Sequence, residues 1–89
     1  MNQNLDLLRK QIDQIDGMII NLLKQRMSIV SEVGQYKKRN NLPALDENRW
    51  QQVLETRIAE AKECGLSEGL IRTIWDAIHE EALTREKNI

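Results

Sequence analysis

The fold of this chain is decided by one stretch, residues 5–36, which reads LDLLRKQIDQIDGMIINLLKQRMSIVSEVGQY. Apolar residues recur in it in alternating steps of three and four, the period of one face of an α-helix. We call this set the apolar stripe, and its members are Leu5, Leu8, Ile12, Ile15, Ile19, Leu22, Ile29, Val33 and Tyr36. One charged residue, Arg26, stands where the period calls for an apolar one.

A helix-stop signal, Asn40-Asn41-Leu42-Pro43, ends the stripe. Asparagine tolerates a left-handed C-terminal position, and the residue before proline avoids helical geometry. We therefore predict a first helix over roughly residues 4 to 40. Two shorter helices follow, one from the N-cap Asp46 to Gly65 and one from the N-cap Ser67. The residues predicted to face inward are Trp50, Val53, Leu54, Ile58 and Ala61 in the second helix and Leu70, Ile71, Ile74, Trp75, Ile78 and Ala82 in the third.

The first helix is much longer than its two neighbours. At about 1.5 Å per residue it reaches about 55 Å, whereas the others reach about 30 Å each. A single chain would leave much of the apolar stripe in water, so we expect a second copy to pack along it. The predicted fold is all-α, a single three-helix domain over residues 1–89 that forms an intertwined homodimer. A plain coiled coil is the alternative interpretation.

Composition excludes several classes of function. The 89 residues carry 13 Lys plus Arg against 14 Asp plus Glu, a balance that argues against a strongly basic nucleic-acid binder. A lone cysteine, Cys64, permits neither an internal disulfide nor a zinc-ligand set, and favours a reducing compartment. The N-terminus lacks the pattern of a signal peptide, and no apolar run approaches membrane-spanning length. We expect a cytoplasmic protein without a nucleic-acid or membrane partner.

Four basic residues are the candidates for ligand binding. Arg26 and Lys37 share a helix face about 16 Å apart, which suits a small molecule with anionic groups at both ends. Arg49, in the first turn of the second helix, adds a guanidinium fork suited to a carboxylate. Arg9 lies about 25 Å from Arg26, too far for the same pocket within one chain, but an antiparallel partner could supply it. Together the four predict a site for a small dianion.

Other interpretations of these cations stay open. Arg9 and Lys37 taken singly also fit the description of solvated surface charges. Arg26 also fits a buried polar residue that fixes the register of an oligomer.

The basic residues lie within segments that recur together in one family: LRKQI at 8–12, ID at 15–16, LLKQR at 22–26, EVGQYK at 32–37 and PALDENR at 43–49. In this combination the chain resembles the small all-helical chorismate mutases, the AroQ class, over nearly its whole length. The resemblance implies a domain-swapped homodimer with two sites, each completed by Arg9 of the other subunit. It also implies conversion of chorismate to prephenate by a Claisen rearrangement, with no metal and no organic cofactor.

The resemblance also implies a role for each site residue. Arg9, Arg26 and Arg49 would hold carboxylates of the substrate. Lys37 would donate a hydrogen bond to the ether oxygen and to a carboxylate, and Asp46 would help to position the ring hydroxyl. A pericyclic step needs no nucleophile, only a chair-like pose and positive charge at the breaking ether bond.

Three positions depart from the family pattern. Trp50 stands where a glutamate usually contacts the C4 hydroxyl, and an indole cannot accept that hydrogen bond. Glu86 replaces a glutamine that donates to the ether oxygen, and Ala82 replaces a serine near a carboxylate. Trp50 therefore indicates either a changed substrate or helix packing. His79 is interpreted as an interface or surface residue rather than a catalyst.

Glu86 leads to a prediction about pH. Only a protonated carboxyl can donate a hydrogen bond, so we expect activity to rise toward acidic pH if Glu86 serves the site with Lys37 and Arg26 as a catalytic residue. The alternative is a solvated glutamate near a fraying C-terminus.

Two kinds of alternative to chorismate mutase stay open, one catalytic and one non-catalytic. The same fold could remove pyruvate from isochorismate or rearrange 4-amino-4-deoxychorismate. A non-catalytic helical dimer or regulatory module is the other alternative.

Overall fold

Three helices account for nearly all of the chain. The computed structural model describes the protein from residue 2 onward, and its side chains from residue 4. The helices are α1 (Asn2–Arg39), α2 (Glu47–Glu63) and α3 (Glu68–Lys87). The predicted all-α class is confirmed, and α1 matches the predicted limits of 4 and 40 to within two residues at either end.

The helix ends form as local sequence chemistry predicts. Asn41 adopts a left-handed conformation with φ of 55°, while the Leu42 N–H donates to the Lys37 carbonyl at 2.8 Å and closes α1. Asp46 caps α2 by accepting from the Arg49 N–H at 3.1 Å. Ser67 caps α3 by accepting from the Leu70 N–H at 3.2 Å. Both predicted N-caps are therefore confirmed.

The core lies between α2 and α3. Its buried members are Leu54, Ile58, Ala61 and Ile71, with Trp50 and Trp75 packed against them. Two residues of α3 that were predicted to face inward do not: Leu70 is 48% exposed and Ile74 is 39% exposed. They lie on the flank of α3 beside Ile71, which takes the contact with α2.

The apolar stripe is not the surface that α1 offers to α3. All nine of its members are between 41% and 62% exposed. The more buried face of α1 is a neighbouring row at the same helical spacing, formed by Leu23, Met27, Val30, Gly34 and Lys37. Since α3 packs on the C-terminal half of α1, the N-terminal half projects away in a molecule that measures 59 × 25 × 15 Å.

The long α1 is amphipathic rather than uniformly apolar. Charged residues such as Asp6, Asp13 and Lys24 interrupt its sequence. Within residues 2–89, no helix combines the length and the apolar character that crossing a bilayer requires.

Candidate active site

One cavity of about 160 Å³ collects the charged residues that the sequence singled out. It lies between the C-terminal half of α1, the loop before α2, the start of α2 and the end of α3. Seven of the eight predicted site residues line it: Arg26, Lys37, Asp46, Arg49, Trp50, Ala82 and Glu86. The eighth, Arg9, is exposed on α1 and does not line this cavity.

The C-terminal half of α1 and the cap of α2 position four of the polar groups. Arg26 and Lys37 project from one face of α1, three turns apart. Asp46 begins α2, and its bond to the Arg49 N–H fixes the first turn, so that the Arg49 guanidinium borders the cavity. Arg49 Nη1 also donates to Gln52 Oε1 at 3.3 Å, which limits the swing of the guanidinium.

Lys37 is held from two sides. Its ammonium Nζ donates to the Ala44 carbonyl at 2.7 Å and lies 2.7 Å from Glu86 Oε1. The Glu86 side chain is 9% exposed, so it faces the cavity rather than solvent. Although the ion pair is short, Glu86 Oε1 is buried without an aligned hydrogen bond within the described residues. Lys37 therefore presents its charge to the cavity from a fixed position.

The site carries an excess of positive charge around Arg26. The pKa of Arg26 is lowered, first because burial disfavours the charged form and then because the guanidiniums of Arg57 and Arg49 repel it. Arg57 is half-buried on α2 and was not among the residues predicted from sequence. An anion in the cavity would relieve this repulsion, which is the electrostatic property expected of a carboxylate-binding site.

Trp50 and His79 form a stacked aromatic pair in the wall of the cavity. Their ring centroids are 3.9 Å apart and their planes differ by 8°. His79, which the sequence analysis interprets as a surface or interface residue, is half-buried and lines the cavity. The signal was present in the sequence: His79 precedes Ala82 by three residues and Glu86 by seven, so the three share one face of α3.

His79 is kept uncharged near neutral pH. Burial lowers its pKa and is the largest effect, while Asp76, Glu86 and Glu80 raise the pKa and Arg26 lowers it. A neutral imidazole has one N–H donor and one acceptor nitrogen. Trp50, its stacking partner, has a donor only, and it packs against the core as well as lining the cavity.

The remaining wall is apolar, which suits a carbon ring between the charged groups. The sequence analysis names Val33 and Val53 as apolar packing residues but proposes none of this wall as part of a site; its members are Val30, Val33, Ala44, Val53 and Leu83. Together the geometry can hold a small dicarboxylate by its charged groups while an apolar surface excludes water from its ring.

A second, larger groove lies on the other side of Arg26. Its volume is about 620 Å³, and its lining is almost wholly apolar. Ile19 and Leu22 of the apolar stripe border it together with Trp75, whose Nε1 is buried without a hydrogen-bond partner in the part of the chain described. Such a lining suits packing against another apolar surface.

Comparison with known proteins gives a consistent set of similarities. The profile of the family described as Chorismate mutase type II matches residues 8–87. A solved structure, a conserved hypothetical protein from Pyrococcus furiosus, is 38% identical with a TM-score of 0.73; the match covers 93% of this chain and 95% of that one.

Two curated relatives are similar over most of this chain. The T-protein of Enterobacter agglomerans is 34% identical over 88 residues, which cover 99% of this chain and 24% of the T-protein. The 4-amino-4-deoxychorismate mutase of Streptomyces pristinaespiralis is 28% identical over 82 residues, which cover 92% of this chain and 64% of that enzyme. The chain thus spans less than two thirds of the length of either relative.

Proposed function

We propose that this chain, which belongs to the chorismate mutase type II family whose profile spans residues 8–87, rearranges chorismate to prephenate. The observation that carries the proposal is the convergence of Arg26, Lys37 and Arg49 on one cavity with apolar walls. Lys37 is paired with Glu86, but Arg26 and Arg49 repel each other and no described carboxylate pairs with either. Such a pair of cations is costly unless an anion joins it, and chorismate is a dicarboxylate.

The rearrangement needs positioning and charge rather than a nucleophile. Arg26 and Arg49 hold the two carboxylates, so that the enolpyruvyl side chain lies over the ring. The ether C–O bond breaks while a C–C bond forms in the same molecule, and no proton changes place. Negative charge develops on the ether oxygen, where the Lys37 ammonium, fixed by the Ala44 carbonyl and Glu86, donates a hydrogen bond.

The proposal includes a homodimer in which Arg9 of one subunit completes the site of the other. The exposed apolar stripe supports it, since a surface of this length is unfavourable in water. The adjoining groove and the buried Nε1 of Trp75 support it further, because both lie beside Ile19 and Leu22 of the apolar stripe. A second copy is the favoured occupant because the stripe repeats over the full length of a helix that α3 covers only in part.

The test offers the purified protein chorismate, isochorismate and 4-amino-4-deoxychorismate separately and identifies each product. We expect prephenate from chorismate, and a loss of at least about 100-fold in kcat/KM in Arg26→Ala, the cost of a buried charged contact. Arg39→Ala, which changes an exposed arginine of the same helix outside the cavity, is the matched control and retains activity. An absence of turnover with all three compounds would instead support a non-catalytic helical module.

A second candidate is rearrangement of 4-amino-4-deoxychorismate or pyruvate release from isochorismate in the same cavity. The observation that favours it is Trp50, which presents no hydrogen-bond acceptor for a C4 hydroxyl. The similarity to a 4-amino-4-deoxychorismate mutase supports the first of these two. The products of the three-compound assay distinguish them directly.

A further inference from the structure

His79 is a chemical group in the cavity that the proposed mechanism does not use. It lines the same space as Arg26, Lys37 and Glu86, and its ring lies flat against Trp50 at 3.9 Å. Stacking occupies a face of the imidazole and leaves the ring edge, which carries both nitrogens, available for hydrogen bonds in the ring plane. The contact with Trp50 restricts rotation of the imidazole, which limits the directions in which its nitrogens can form hydrogen bonds.

Most other polar groups of the cavity are already engaged or suit a charged partner better. Lys37 is held by the Ala44 carbonyl and Glu86, and one carboxylate oxygen of Asp46, the residue that the family resemblance assigns to the ring hydroxyl, accepts the capping bond of α2. The arginines are matched to carboxylates. The indole of Trp50 donates but cannot accept. A hydroxyl group on a substrate ring can donate one hydrogen bond and accept others, and the neutral imidazole offers a nitrogen for either.

We infer that His79 is a specificity-determining residue whose imidazole, held against Trp50, hydrogen-bonds the ring hydroxyl of the dicarboxylate substrate. The inference rests on the proposed function, since it assigns a partner to the one polar group of chorismate that is neither a carboxylate nor the ether oxygen. In this arrangement the Trp50 indole orients the His79 imidazole, and the imidazole hydrogen-bonds the substrate hydroxyl.

The test uses two substitutions that separate stacking from hydrogen bonding. His79→Phe keeps an aromatic ring against Trp50 but has no nitrogen, whereas His79→Gln gives up the stack but keeps a donor and an acceptor. Both are assayed with chorismate and with the chorismate analogue that lacks the ring hydroxyl. We expect His79→Phe to lower kcat/KM for chorismate by about 10- to 100-fold and His79→Gln by less than about 5-fold.

The analogue without the ring hydroxyl shows whether the loss of activity in His79→Phe depends on that hydroxyl. With that analogue, His79→Phe and the unmodified protein should differ by less than about 2-fold, because no hydrogen bond is lost. Equal losses with both compounds, or a loss in His79→Gln as large as in His79→Phe, would overturn the inference. Circular dichroism checks that each variant is folded, and His79→Leu replaces His79→Phe in the same comparison if the phenylalanine is not accommodated.

The proposed function is tested separately in the same series. If the unmodified protein does not convert chorismate, the proposed function fails before His79 is considered. If it does, and the hydroxyl-dependent loss is missing, only the role of His79 fails.

Discussion

Arg26 is a residue whose charge is unfavourably placed for folding and to which the proposed function gives a partner. It interrupts the apolar stripe and lies near two further guanidiniums, those of Arg49 and Arg57, which lower its pKa together with burial. No buried carboxylate neutralises it within the described residues. The site is therefore prepared for an anion before the anion arrives, which is the form of electrostatic preorganisation that a rearrangement without proton transfer can use.

Glu86 is the residue whose substitution should change the pH profile of the reaction. Its carboxyl lies in the cavity 2.7 Å from Lys37 Nζ, and only its protonated form can donate a hydrogen bond to substrate. We expect kcat to rise toward acidic pH and Glu86→Gln, whose amide donates at every pH, to give a flatter profile. Steady-state rates measured from about pH 4 to about pH 9, the range in which carboxyl and imidazole groups ordinarily titrate, test this prediction. A profile that is already flat in the unmodified protein would contradict it.

His79 should make folding stability depend on pH. Burial sets its folded-state pKa below the ordinary value of 6.5, so the unfolded chain takes up the proton first as pH falls. The contribution of the neutral imidazole is complete above 6.5 and decreases as pH falls from there to the lower folded-state pKa. Urea unfolding at fixed protein concentration measures this contribution to the unfolding free energy. His79→Gln is the control, because its side chain has no titrating imidazole. The difference in unfolding free energy between the two proteins should shrink from pH 8 toward pH 5, roughly across the titration of histidine; a constant difference would refute the assignment.

At the scale of elements, the approach of α3 to α1 places Glu86 beside Lys37. Gly34 makes this approach possible, because a Cβ at this position would lie 2.5 Å from Ile89 Cδ1 and 3.1 Å from the Glu86 Cα. The second of these is a backbone atom, so relief requires movement of the helix rather than rotation of a side chain. The glycine thus links helix packing to the geometry of the site.

Gly34→Ala should consequently cost activity. The added methyl group displaces the end of α3, and overpacking of this kind costs about 1–3 kcal/mol, against a gain of up to about 1 kcal/mol in helix propensity. We expect lower stability in thermal unfolding and a fall in kcat as Glu86 moves away from Lys37.

Gly17→Ala is the matched control on the same helix. Among the described residues, no atom outside the adjacent residues and the backbone of its own helix lies within 4 Å of the position of its Cβ. Only the propensity gain therefore applies, and stability should rise by up to about 1 kcal/mol. If Gly34→Ala also stabilised the protein and left kcat unchanged, the close approach would have no role in the site.

At the scale of the whole molecule, the exposed stripe and the position of Arg9 are the two features that support the proposed dimer. Arg9 and Arg26 are seventeen residues apart on one helix, about 25 Å, so no side chain can bring Arg9 into its own cavity. In the proposed dimer, each site combines Arg26 of one subunit with Arg9 of the other. A dimer with shared sites predicts that two inactive variants regain part of the activity when their subunits are mixed.

Arg9→Ala and Arg26→Ala should each be inactive alone but restore activity together. In a mixed dimer, one site carries both substitutions and the other carries neither. Random mixing makes half of the dimers mixed, so about one quarter of the unmodified activity should return. The measurement is turnover of chorismate after the two variants are unfolded and refolded as an equal mixture.

A matched control keeps both substitutions in one chain. The double variant Arg9→Ala, Arg26→Ala, refolded with the unmodified protein at equal concentration, leaves no intact site in mixed dimers and should also give about one quarter of full activity. Failure of the single variants to complement, with dimers demonstrated by sedimentation, would show that each site lies within one chain.

The sequence by itself determined the helices, because the interactions that form them are local. The caps at Asp46 and Ser67 and the left-handed Asn41 depend on residues no more than five positions away, and the stripe depends only on helical period. The alignment of Arg26 and Lys37 on one face follows from the same period.

Only the tertiary structure decided which faces meet. The apolar stripe and the row through Met27 and Gly34 have the same spacing, so periodicity could not tell that α3 would take the second and leave the first exposed. The placements of His79 against Trp50 and of Arg57 near Arg26 join residues far apart in the chain. Such contacts depend on how three helices pack around a shared core, and no local pattern contains that information.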